Sequence, residues 1–111
     1  MEEALRNMVS GFAFAVTFVN LKSPEVVDGL FLQEIDLEDA AREPLGEGCA
    51  SACCLFDRAK RDEDETLEAF LAYEPKKSAV RQLWSELISS PARKSVEENR
   101  GVSGVQMFKL Y

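Results

Sequence analysis

The longest stretch without a charged residue is centred on Gly11–Asn20, and any fold of this chain has to find a place for it. Large and small residues alternate through it. Phe12, Phe14, Val16 and Phe18 fall on one face of a strand, with Ala13, Ala15, Thr17 and Val19 on the other. A strand apolar on both faces invites aggregation at an open edge, so the pattern predicts an interior strand whose phenylalanine face lies under a helix.

The remaining elements are read around that strand. Ser23 and Pro24 suit a helix start or turn. Val26, Val27, Leu30 and Phe31 have helical spacing, but Asp28-Gly29 interrupts it, and Gly29 to Ile35 is read as a second strand pairing with the first. Asp36 resembles an N-cap for a short helix over Leu37 to Glu43, ended by Pro44. Residues 50 to 57 and 66 to 73 read as a β-hairpin, because Arg58 to Glu65 is charged apart from Ala59 and suits its tip. Val80, Leu83, Trp84, Leu87 and Ile88 form one apolar stripe, which predicts a helix over about 76–90 that either kinks at Pro91 or gives way there to a second helix ending at Gly101. Val105 to Tyr111 has strand character. The expected fold is therefore α+β: an antiparallel sheet of four to five strands under one long amphipathic helix, in a single domain spanning residues 1–111.

A chain of 111 residues buries roughly 65% of the surface its unfolded form exposes, enough for one core without a metal or a disulfide. No apolar run approaches the ~18 residues of a membrane span. The opening Met1-Glu2-Glu3-Ala4-Leu5-Arg6 lacks the basic start of a secretory signal, so a cytosolic protein is expected. Three cysteines within six residues, Cys49, Cys53 and Cys54, are a poor disulfide framework and agree with a reducing compartment.

There is no histidine, which removes the commonest general base and metal ligand together with every Ser-His or Cys-His dyad. Phosphate-loop and dinucleotide patterns are missing too, so no cofactor is expected. Cys49 and Cys53 are the candidate reactive thiols: they would share a helix face, and Cys49, just after Gly48, could feel a helix N-terminus. Core packing is the competing reading, because free cysteine is among the most often buried residue types. Asp62-Glu63-Asp64-Glu65 lacks the glycine and distal glutamate of a calcium loop and reads as a solvated tip.

Charge supplies the functional expectation. Residues 25 to 47 hold eight acids (Glu25, Asp28, Glu34, Asp36, Glu38, Asp39, Glu43 and Glu47) against Arg42, and so carry the whole net charge of -7. An acidic face disfavours direct nucleic-acid binding and suits a protein partner with a basic surface. The expected function is a small non-catalytic binding module, of inhibitor, immunity or adaptor type, engaging that partner through Glu34, Asp36, Glu38, Asp39 and Glu43. Two alternatives stand beside it: a thiol-dependent redox protein or enzyme using Cys49 or Cys53, and a structural subunit of a homo-oligomer joined through an exposed strand.

Overall fold

A computed structural model of the protein describes residues 2–34 and 38–101. They form six α-helices: α1 (Glu3–Val19), α2 (Pro24–Asp28), α3 (Asp39–Ala59), α4 (Thr66–Ala72), α5 (Ser78–Trp84) and α6 (Ser90–Gly101). Two π-helical segments, Gly29–Glu34 and Ser85–Ser89, continue α2 and join α5 to α6. No strand occurs among the described residues, so the expected α+β sheet is wrong and the fold is a helical bundle. The C-terminal strand read at Val105 to Tyr111 lies outside the described residues.

Each misread strand has a physical explanation. Gly11 to Val19 belongs to a helix of 17 residues, far longer than an ordinary strand, and within that stretch Thr17 is the one polar side chain, so little helical period stands out against the alternation. Residues 50 to 57 continue α3, and their buried positions Ala50, Ala52 and Cys53 follow helical spacing with Cys49 before them. The other half of the supposed hairpin is α4, which buries Leu67, Phe70 and Leu71 at i, i+3 and i+4. The charged segment between them is a loop over residues 60–65. Gly29 to Glu34 winds into the π-helix rather than extending, although Pro24 does open α2 with Ser23 before it.

Helix α3 is the axle. It runs through Pro44 instead of ending there, and its two glycines set the positions of its neighbours. A Cβ at Gly48 would collide with the Ser10 carbonyl oxygen of α1 and sit 2.9 Å from Ala13 Cβ and 3.0 Å from Phe14 N. At Gly46 it would lie 2.6 Å from the Leu87 carbonyl oxygen. Residues two apart on a helix point about 200° apart, so α1 crosses one side of α3 and the α5–α6 helix crosses the other.

The second crossing depends on Pro91. A proline cannot donate to the carbonyl four residues back, here Leu87, and its ring crowds that oxygen. The helix responds by widening just before it: the Ser90 N–H reaches the Ser85 carbonyl, five residues back. The helix predicted over 76–90 thus continues to Gly101 through a π-turn. Trp84 fills the core beneath it, with ring centroids 5.3 Å from Phe70 and 5.1 Å from Tyr73. The far end of α6 is clamped to α3 by Arg100, whose Nε and Nη2 donate to Asp57 at 3.0 and 2.6 Å, and by Arg58 donating to Asn99 at 2.7 Å.

The glycine contacts yield a paired prediction. Gly48→Ala is expected to destabilise the protein by about 1–3 kcal/mol, because overpacking at a backbone crossing outweighs the helix propensity gained. Gly29→Ala, with nothing within 4 Å of the new methyl, is expected to be neutral or to stabilise by up to ~1 kcal/mol. Urea denaturation of both variants is the measurement; equal effects would remove Gly48 from its structural role.

Candidate functional site

The residues singled out from the sequence are placed as follows. Glu38, Asp39 and Glu43 are exposed at the start of α3, where Glu43 and Glu47 lie 3.7 and 3.6 Å from Arg6 Nη2 and Asp39 lies 3.5 Å from Arg42 Nε. Glu34 ends the first π-helical segment, and Asp36 lies outside the described residues. The acidic segment is not one solvated face, because Asp28 is buried at 3% exposure and accepts hydrogen bonds from the Tyr73 hydroxyl at 2.9 Å and Gln33 Nε2 at 3.2 Å. Burial and the neighbouring Asp28 push the Tyr73 phenol up to about 12.

Cys49 and Cys53 are both fully buried on the inner side of α3. The Thr17 hydroxyl donates to Cys49 Sγ at 3.1 Å, but burial dominates and pushes this thiol up to about 11. Burial, with the adjacent thiols, takes Cys53 up to about 12. Cys54 is the accessible one. It opens onto a groove of about 370 Å³ between α3 and α6, where Asn99 Nδ2 donates to its sulfur at 3.0 Å. Partial burial raises its pKa as well, against the lowering effects of Asn99 and Arg58. The three thiols are packed or neutral rather than activated.

The feature that the sequence reading missed is on α1. From Asn7 to Val19 this helix carries no charge, yet only one side of it is covered. Ala13 and Thr17 face α3 and are buried, while Leu5 is 47% exposed, Met8 68%, Phe12 50% and Val19 79%. Together with exposed Ala15, these residues recur at steps of three and four, so they share an arc of about 80° on the helix surface. Ala4, Gly11 and half-exposed Phe18 widen the strip on one flank, and Phe18 stacks on Phe14 at 5.9 Å. On the other flank Phe12 meets buried Phe31 edge-on, also at 5.9 Å. A helical wheel through residues 3–19 would have found this face; the strand reading concealed it.

No family model matches the chain, and neither a curated protein nor a solved structure shows significant similarity to it. Among the described residues, no helix is long and apolar enough to cross a membrane.

Two measurements follow from the buried ionisable groups. Tyr73, Cys49 and Cys53 all hold their protons more tightly in the folded state than in the unfolded chain. Their contribution is therefore fully present below about pH 9, where the unfolded thiols begin to titrate, and is lost as pH rises through about 11 to 12. Urea midpoints should hold level up to about pH 9 and then fall. In native protein at neutral pH, a thiol reagent should modify Cys54 first, with Cys49 and Cys53 reacting at the rate of unfolding; rapid native-state labelling of Cys49 or Cys53 would contradict their burial.

Proposed function

We propose that this protein is a non-catalytic interaction module that docks a helix of a protein partner on the uncovered face of α1. One observation carries the reading: from Asn7 to Val19 α1 is uncharged, and the side that carries Leu5, Met8, Phe12, Ala15 and Val19 is left uncovered, with its larger side chains outward. The apolar side of a helix ordinarily faces the core, and a contiguous exposed strip of this kind marks a binding surface. The three-and-four spacing of Leu5, Met8, Phe12, Ala15 and Val19 is the period with which one helix packs along another. A lipid surface fits less well, since interfacial helices carry lysine or arginine along their polar edge, whereas Arg6 is engaged with Glu43 and Glu47 and the chain has a net charge of -7.

A second reading keeps the electrostatic partner. Glu38, Asp39 and Glu43 are exposed together at the start of α3, and a basic protein surface could meet them there. Asp28 takes no part in it, and Arg6 and Arg42 already offset some of the charge. The thiol reading is the weakest, because burial raises rather than lowers the pKa of each cysteine.

The docking reading is tested by placing a photo-cross-linking amino acid at Met8, with Asp62 in the exposed 60–65 loop as control. Cross-linking in cells should give a discrete polypeptide adduct from position 8 and none from position 62. Identical patterns from both positions, or lipid adducts alone from position 8, would overturn it.

A further inference from the structure

We infer that the groove between α3 and α6 is the docking site of the chain's own residues 102–111, which double back from the end of α6 and lie along the groove toward Glu47. The inference is independent of the docking reading for α1, because α1 crosses the opposite side of α3.

The groove is longer than one cavity. The space of about 370 Å³ beside Cys54 and a second of about 290 Å³ beside Gly46 share Glu47, Ala50 and Ser95 in their linings. Cys54 and Arg58 meet Asn99 at one end, and Gly46 faces Leu87 at the other, so the two helices run along the groove in the same direction. Buried Ala50 is small, while Leu55, 44% exposed, and half-buried Leu87 line the two ends with apolar surface. Such a trough accepts an extended segment with apolar side chains.

Residues 102–111 have the right origin, composition and reach. The chain leaves α6 at Gly101, two positions past Asn99, and so enters at the Cys54 end. Val102, Val105, Met107, Phe108, Leu110 and Tyr111 supply apolar side chains, and Ser103-Gly104 suits a reversal of direction. From Asn99 back to Pro91 the groove runs about 12 Å along the helix axis, and an extended Val105 to Lys109 covers about 13 Å. Lys109, the one charged residue of 102–111, then arrives where Glu43, Glu47 and Glu86 line the far end. Arg42 lines that end as well, and Arg6 lies 3.7 and 3.6 Å from Glu43 and Glu47. Glu86 is held by Gln82 alone and is in no ion pair among the described residues, so it is the acid left for Lys109. Arg58 at the near end repels a lysine, which favours the far end for Lys109. A segment lying this way covers Cys54.

Two measurements on the full chain test the inference. With oxidised glutathione at low protein concentration, Val105→Cys should form an intramolecular disulfide with Cys54, and Lys109→Cys should not; peptide mass mapping reads both. Equal bridging from positions 105 and 109, or none from position 105, overturns the docking. The second measurement is the rate at which iodoacetamide, an uncharged reagent, modifies Cys54. Met107→Asp/Phe108→Asp should raise that rate several-fold, and Lys109→Glu about two- to fivefold, the size expected for one exposed ion pair. Adding Glu86→Lys to Lys109→Glu should bring the rate back down. Rates at Cys49 and Cys53 should stay unchanged, which separates uncovering of the groove from unfolding. A Cys54 rate indifferent to Met107→Asp/Phe108→Asp overturns the inference, and one indifferent to Lys109→Glu overturns the direction assigned to the segment.

Discussion

Two backbone crossings at α3 hold this structure in its arrangement, and both exist because glycine occupies positions 46 and 48. At Gly48 the backbone of α1 comes closer than any side chain would permit, and at Gly46 the carbonyl of Leu87 does the same from the opposite side. Glycine at these positions lets the backbones meet directly, and the helices pack along α3 on either side of it. The largest enclosed side chains include Trp84, Phe70, Phe31, Leu67 and Ile88, with Trp84 packed against Phe70.

Pro44 and Pro91 show how far local rules extend here. Both were natural places to end a helix, and neither ends one. Pro91 is absorbed by a π-turn that shifts the hydrogen-bond register ahead of it, and the Leu87 carbonyl it cannot serve is the group facing Gly46. A residue that breaks the regular ladder of one helix therefore lies at the contact with the next. Nothing in the sequence around Pro91 alone reports that Gly46 is its counterpart, since the two meet only through the tertiary fold.

What was legible in the sequence tracks how strongly each segment departs from uniformity. The stripe Val80, Leu83, Trp84, Leu87 and Ile88 contrasts with its polar neighbours, and the helix read there is present. By contrast, Gly11–Asn20 is uncharged and nearly all apolar, so the alternation of large and small residues has the period of a strand, which the structure does not contain there. The small residues from Gly48 to Cys53 misled in the same way: they have weak patterning because they face a crossing helix at short range. Charge counting located the source of the net charge correctly but treated Asp28 as one of many solvated acids, whereas Tyr73, 45 residues away, supplies its hydrogen bond in the interior.

The same close approach that organises the fold also accounts for the surface it leaves open. At the Gly48 crossing the inward positions of α1 must be small, and Ser10, Ala13 and Thr17 occupy them. The large apolar residues of a helix ordinarily point into the core, each contributing about 1.5–3 kcal/mol when fully buried. On α1 the order is inverted: Leu5, Met8, Phe12 and Val19 point away from α3, and that gain is only partly realised within the fold. Converting α1 into an ordinary surface helix would take only polar substitutions at these outward positions, none of which touches the crossing. Intramolecular packing therefore does not require large apolar residues there, and it is on these positions that the docking proposal rests.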